Sequence, residues 1–290
     1  MDAIKKVVIP VAGWGTRSLP ASKNIPKEML PIYNKPVIQH VVEEAQHSGI
    51  EDVIFITNRD KSVIEDHFDY NLQLEGVLER AGKLDKLALV REVAEMVNIM
   101  AVRQKKQLGL GHAVLCAESI VGNNPFAIMV GDDLMFGGTP GIKQLIDVAI
   151  AENMSVIGVM EVAPDKVNKY GIIDAVQISP GVFRVKDLVE KPACDQAPSR
   201  YAIVGRYVLK PEIFKFLHEV KPGHGGEIQL TDALQGVAKT DGMLAVKMTG
   251  VRFDAGDWSE YLAANIYFGL QDEDLHYELL DKLKNFVQFK

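Results

Sequence analysis

Two hydrophobic rhythms alternate along the first half of the chain. Short runs dense in Val and Ile, "KKVVIPVAG", "EDVIFITN", "NIMAVRQ" and "PFAIMVGDD", are continuous enough to be strands buried on both faces. Between them, apolar residues recur at helical spacing. "KPVIQHVVEEAQHSG" predicts a helix closed by Gly49, the stretch from Asp60 to Gly82 is predicted helical, and "AVLCAESIV" and "GIKQLIDVAIAEN" predict two more helices. Such alternation predicts a largely parallel sheet covered on both faces. Ligands of these sheets bind beyond the carboxyl ends of the strands. The loop after the first strand, "KKQLGLGH" and the "GDD" corner all follow predicted strands, so they are expected to converge on one crevice.

After "MSVIGVMEVA" the texture changes. "YGIIDAVQISPGVFRVKDLVEKP" predicts two strands joined at "SPG", and "SRYAIVGRYVL" a further one. "KPEIFKFLHEV" and "EIQLTDALQGVAKTDG" read as helices, "MLAVKMTGVRFDAGD" returns to strand, and the tail from Trp258 to Lys290 reads as mostly helical. No internal repeat or linker is visible. The expected layout is one domain, 1–290, with a nucleotide-binding part at about 1–150, a second pocket at about 151–257 and the tail at about 258–290.

Composition narrows the function classes. The formal net charge of −7 argues against a nucleic-acid binder, so any anion site must be a local cluster in an acidic surface. Cys116 and Cys194 lack metal-type spacing and read as incidental thiols of a reducing compartment. The N-terminal stretch is too short in apolar residues for a signal peptide, and no apolar run approaches a membrane span. A cytoplasmic protein with neither nucleic-acid nor membrane partner is expected.

The stretch "PVAGWGTRSLPASKNIPKEMLP" carries the first chemistry. Backbone N–H groups around Gly13 and Gly15 can approach an anion closely, Arg17 adds a planar cation, and Lys27 adds a point charge. Four prolines (Pro20, Pro26, Pro31 and Pro36) stiffen the connection. A dinucleotide fingerprint is excluded, because Ser18 stands where its third glycine belongs and Thr57 and Asn58 where an acid would close the second strand. No Gly-Lys-Ser/Thr occurs, which excludes a P-loop.

"AGWGTRSLPASKNIPKEMLPIYNKPVIQHVVEEA" closely resembles the signature of bacterial UTP–glucose-1-phosphate uridylyltransferases, the UDP-glucose pyrophosphorylases. The likeness continues in order through "VRQKKQLGLGHAVLCAE", "PFAIMVGDD", "KYGIID", "VEKP", "AIVGRYVL", "GEIQLTDAL" and "RFDAGD". It implies a Rossmann-like nucleotidyltransferase α/β sandwich: a mixed, mostly parallel sheet with helices on both faces, an extra β-rich sugar-binding part and a C-terminal helical tail. It also implies UTP and glucose 1-phosphate as substrates, Mg²⁺ as cofactor, direct attack of the sugar phosphate on the α-phosphate, and a homodimer or homotetramer.

By position in the motifs, the resemblance assigns Arg17 and Lys27 to the triphosphate and Ala12, Gly13, Gly15 and Thr16 to the nucleotide. Gln104 would read the base, as a carboxamide offers a donor and an acceptor to uracil, with Gly109 leaving room for it. Asp132 and Asp254 would hold Mg²⁺. Asp133 is either a capping acid or a group reaching the ribose or base. Gly171 and Glu190 would read glucose hydroxyls, Lys191 would bind the sugar phosphate, and Tyr207 would pack beneath the sugar or in the core. The catalytic set is then Arg17, Lys27, Asp132 and Lys191. His112 reads as a capping or packing residue.

Several positions depart from the pattern. Trp14 stands between the glycines, Ser18 replaces a hydrophobic residue, and Ser22 and Asn34 are mild exchanges. Trp258 and Glu260 stand where the pattern carries Lys and Gly. Three rival readings are a sister enzyme for dTTP or another sugar, a silent nucleotide-sugar-binding paralogue, and a structural scaffold.

Overall fold

In the first strand, Val7 and Ile9 face one side and Val8 the other, and all three are completely buried. This is the signature of a strand with a layer on each face. The computed structural model describes residue 1 and residues 3–288; the last two positions of the expected tail and domain, 289 and 290, and position 2 lie outside the described residues. Its strands are β1 (Lys6–Pro10), β2 (Pro31–Ile32), β3 (Lys35–Pro36), β4 (Asp52–Thr57), β5 (Asn98–Arg103), β6 (Phe126–Met129) and β7 (Asp133–Phe136). They continue as β8 (Ser155–Glu161), β9 (Gly171–Ser179), β10 (Val182–Glu190), β11 (Tyr201–Leu209), β12 (Met243–Lys247) and β13 (Val251–Asp254).

Among the described residues a nine-stranded sheet runs in the order β5-β4-β1-β6-β11-β8-β12-β10-β9. The half from β5 to β6 is parallel, with Val7 opposite Val53 and Ala127. Beyond β6 the sheet turns antiparallel through β11, and only β8 and β12 run parallel there. The sheet is mixed, as expected, but parallel pairing prevails only in its N-terminal half, because the strands after β6 return mostly antiparallel, so the expectation of a mostly parallel sheet holds for that half alone. One face packs against the helices Val37–His47 and Gly141–Glu152. The other packs against Leu110–Leu115, Ile213–Glu219 and Leu230–Thr240, where Phe126 and Phe214 stack at 5.4 Å.

Two features differ from the sequence reading. A helix at Leu84–Ala94, unmarked by strong periodicity, pairs with Leu72–Arg80. The run "PFAIMVGDD" is not one strand: β6 stops at Met129, and Asp133 opens β7, which pairs antiparallel with β13. Asp132 thus sits on a corner between two strands. The tail forms the helices Trp258–Gln271 and His276–Gln288. No helix among the described residues is long and apolar enough to cross a membrane.

A buried ion pair ties the layers together. Glu44, from the first helix, accepts from Arg206 of β11 at 2.8 and 2.6 Å and from the Ile142 amide at 2.7 Å. Arg206, fully buried, also donates to the carbonyl of Asp133 at 2.7 Å. Helix, sheet and corner are locked by one guanidinium.

His40 is buried against Phe136 and Phe268, and its Nε2–H donates to the carbonyl of Ile32 at 3.2 Å. Burial holds its pKa below the usual histidine range, despite the opposing pull of Ile32 and Glu43. The unfolded chain therefore takes up this proton at higher pH than the native one, so stability is complete above about pH 6.5 and declines as pH falls through the folded pKa. Calorimetry should show the melting temperature dropping as pH falls below about 6.5. His40→Asn should lower the melting temperature at neutral pH and flatten the acid limb. An unchanged acid slope in that variant would remove His40 as a cause.

Candidate active site

The loop that leaves β1 folds into three short 3-10 turns, Thr16–Ser18, Ala21–Lys23 and Lys27–Met29. The Ser22 hydroxyl donates to the Gly15 carbonyl at 2.7 Å and pins the first turn to the second. Beneath the third, Glu28 and Lys61 form a buried pair at 2.8 Å. These anchors direct Arg17 and Lys27 toward the corner after β6.

There four charged groups meet. Lys27 Nζ donates to Asp132 Oδ2 at 2.5 Å, while the two Arg17 terminal nitrogens lie 3.7 Å from Asp132 and 3.6 Å from Asp254. The Ala255 amide donates to the Asp132 carbonyl at 2.8 Å, and the Gly256 amide to Asp254 Oδ1 at 2.8 Å. A Cβ on Gly256 would sit 2.7 Å from Arg17 Nη2, 2.9 Å from Asp132 Oδ2 and 3.0 Å from Asp254 Oδ1. A side chain there would clash with the cluster, so only glycine fits.

The electrostatics follow from the packing. Burial pushes the Asp132 carboxyl up, but the charge and hydrogen bond of Lys27, with help from Arg17, outweigh it and hold the pKa below the ordinary value. Burial opposes the Lys27 ammonium, and Asp132 and Glu28 outweigh that, so its pKa lies above the ordinary value. Asp254 is pushed up, first by burial and then by neighbouring Asp132. Two carboxylates gathered beside Gly256, one of them raised by burial and by repulsion from the other, suit a divalent cation. No group of three or more acids, histidines or cysteines able to hold a metal occurs among the described residues. An ion taking two carboxylates and completing its shell from phosphate and water fits this donor set, which is the habit of Mg²⁺.

Asp133 has a different setting. One oxygen accepts from the Gly205 amide at 3.0 Å and from Arg252 at 2.9 Å, and the other lies 2.7 Å from Arg252 Nε. Its Oδ2 is hydrogen-bonded twice, whereas Oδ1 faces Arg252 Nε as an ion pair without a hydrogen bond, and together these contacts fasten the corner. Asp133 and Asp254 are also direct partners in the β7–β13 register.

The nucleotide-side residues gather at the ends of β1 and β5. Ala12 is buried, its carbonyl held by Asn58 Nδ2 at 2.8 Å, whereas Gly13 and Thr16 are exposed. Gln104 is buried directly after β5. Gly109 has φ +97°, and a Cβ there would meet Ile228 O at 2.9 Å, so the loop tolerates no side chain.

On the other side, Gly171 and Glu190 are partners across β9 and β10, and Thr231 donates to Glu190 at 2.6 Å. Lys191 is an exposed residue in the left-handed region, φ +46°, with Nζ 3.5 Å from Glu190. A strained non-glycine residue at a strand end is a recurrent mark of a functional position. A cavity of about 410 Å³ lined by Glu190, Lys191, Gln229 and Asp232 adjoins it. Arg252, which holds Asp133, stacks 5.6 Å from the Tyr170 ring, and the Tyr170 carbonyl accepts from the Lys191 amide at 3.0 Å. The corner and the Lys191 turn are therefore coupled through two residues. Tyr207 is a core residue, buried in the layer with Phe126 and Phe214, and burial raises its hydroxyl pKa.

Sequence reasoning missed Asn58, Thr231, Arg252 and Gly256 as site residues, although the last three lie inside "GEIQLTDAL" and "RFDAGD". Trp258 and Glu260 occupy the first turn of the helix Trp258–Gln271, where Asp257 accepts from the Ser259 and Glu260 amides.

Comparison with known proteins gives consistent results. The nucleotidyl transferase family model matches residues 6–268. The chain is 47% identical over 284 residues to UTP--glucose-1-phosphate uridylyltransferase 2 of Staphylococcus saprophyticus, covering 98% of both chains. A UTP-bound UGPase from Acinetobacter baumannii superposes with TM-score 0.89 at 40% identity, covering 99% of this chain and 100% of that one. A UDP-glucose pyrophosphorylase complexed with UDP-glucose gives TM-score 0.86 at 41% identity, covering 93% of this chain and 100% of that one.

Proposed function

Because the chain belongs to the nucleotidyl transferase family, in its UTP–glucose-1-phosphate uridylyltransferase branch, we propose that it joins UTP and α-D-glucose 1-phosphate to give UDP-glucose and pyrophosphate. A phosphate oxygen of the sugar phosphate attacks the α-phosphorus of UTP in line. The α–β phosphoanhydride bond breaks, and pyrophosphate leaves with the bonding electrons. No protein nucleophile takes part.

The observation that carries this reading is the convergence of Arg17, Lys27, Asp132 and Asp254 beside Gly256. Two polyanions must be held together there, and alignment alone is worth about 7–11 kcal/mol of such a barrier. Arg17 supplies a planar fork to the triphosphate, and Lys27 a nearly buried point charge to the departing pyrophosphate. Ala12, Gly13, Gly15 and Thr16 offer the backbone against which the nucleotide lies. Asp132 and Asp254 would hold Mg²⁺, which supplies charge neutralisation at the α-phosphate when bound. Asp133 serves the nucleotide indirectly, by holding the corner. Glu190, oriented by Thr231, accepts from glucose hydroxyls opposite Gly171, and Lys191 takes the sugar phosphate. The division into a nucleotide part, a sugar part and a tail, a cytoplasmic location and a homodimer or homotetramer belong to the same proposal. Exposed Tyr277 and Phe286 on the C-terminal helix support an assembly through the tail.

The test is product identification by mass spectrometry from purified protein, glucose 1-phosphate, Mg²⁺ and either UTP or dTTP. UDP-glucose and pyrophosphate are expected with UTP. dTTP should be a poorer substrate, since one methyl group is worth only about 1–3 kcal/mol in a pocket. A preference for dTTP would overturn the uridylyl assignment, and silence with both would overturn catalysis.

A further inference from the structure

Gln104 is fixed more tightly than a base-reading carboxamide needs to be. Its amide N–H continues the ladder to the Thr57 carbonyl at 2.8 Å. Its side-chain Nε2 lies 3.2 Å from the carbonyl of Gly109 and 2.9 Å from Nδ1 of His112. A carbonyl can only accept, so the contact with Gly109 decides which end of the carboxamide carries the protons. Nδ1 of His112 must then accept as well, with the imidazole neutral and its proton on Nε2. Both Nε2 protons are thereby used. Gln104 Oε1 has no hydrogen-bond partner among the described residues, yet it is not sealed from solvent.

The frame behind this contact is rigid. The Ile228 amide donates to the Leu108 carbonyl at 2.7 Å, and the Gly111 amide to the Ile228 carbonyl at 2.9 Å. The helix Leu110–Leu115 that carries His112 starts from this clamp and packs against Leu230–Thr240.

We propose that His112 is a positioning residue for base selection: by accepting from Gln104 it fixes the carboxamide so that only an acceptor oxygen is offered to the base. A pyrimidine with a proton on N3, the uracil type, then finds a partner. One with a lone pair on N3, the cytosine type, meets a second lone pair. Without the imidazole acceptor, only Gly109 opposes rotation of the carboxamide, and the donor end becomes available to cytosine. Partial burial of His112 lowers its pKa and favours the neutral ring that this role requires. The inference rests on the uridylyl reading above and deepens it.

The experiment compares kcat/KM for UTP and CTP, with glucose 1-phosphate, in the wild type, His112→Phe, His112→Ala and His112→Asn. Removing the acceptor in the Phe and Ala variants should lower the UTP/CTP ratio about tenfold, the worth of one buried hydrogen bond. Asn places an acceptor oxygen near the position of Nδ1 and should restore the ratio to within about threefold of wild type. If UTP and CTP activities fall together in the Phe and Ala variants, the ratio staying at the wild-type value, His112 is merely structural and the proposal is overturned. A ratio for His112→Asn as low as for His112→Phe also overturns it, because the effect then belongs to the shape of the ring. A wild type that releases no pyrophosphate from UTP overturns the uridylyl reading itself, and that control is measured first.

Discussion

Asp132→Asn should abolish turnover, by at least about 100-fold in kcat/KM, while the protein stays folded. The substitution preserves shape but removes the charge on which Lys27 and Arg17 converge and one of the two carboxylates suited to Mg²⁺. Its structural effect is small because two consequences oppose each other. Lys27 loses a partner but keeps Glu28 nearby, and Asp254, raised first by burial, is relieved of the added repulsion from Asp132. Steady-state kinetics of pyrophosphate release, paired with a thermal melt, separate these quantities. Near-normal activity would remove Asp132 from the reaction, and collapse of the melt would make it a structural acid.

The largest stability effect is expected far from any substrate. Glu44→Gln leaves Arg206, fully buried, with a neutral partner in place of its bidentate carboxylate. Removing one member of a buried pair costs about 3–5 kcal/mol, because the remaining charge is uncompensated. That is on the order of 10 °C in melting temperature for a chain of this size. Activity at low temperature should also fall, since Arg206 holds the Asp133 carbonyl beside Asp132. Denaturant titration gives the free energy directly, and a loss below about 1 kcal/mol would show that Arg206 finds another partner.

The parts of the molecule that are local in sequence are legible in it. Val7, Val8 and Ile9 declare a doubly covered strand, and Gly49 and Gly181 declare where a helix stops and a hairpin turns. The charged cluster is half legible. Arg17, Lys27, Asp132 and Asp254 stand out as residue types in the right motifs, and they do meet. What brings the two acids together is the β7–β13 pairing, which joins segments more than a hundred residues apart and leaves no local periodicity. The same non-locality hid Arg252 from Asp133, Thr231 from Glu190 and Gly256 from the carboxylates. Arg252 and Gly256 are set by the β7–β13 register, which a one-residue slip would erase, and Thr231 by the packing of the helix Leu230–Thr240 on β10. The helix Leu84–Ala94 escaped for another reason: of its residues only Leu87 is buried, so no apolar stripe marks it.

The sheet runs without a break from β5 at one edge to β9 at the other, and β11 is bonded both to β6 of the N-terminal half and to β8 and β9 of the C-terminal half. Parting the two halves along β11 would have to tear this ladder, so the sheet keeps them at a fixed spacing. The segments that hang from the strand ends, the proline-stiffened turns after β1 and the left-handed Lys191, are left as the parts free to shift above it.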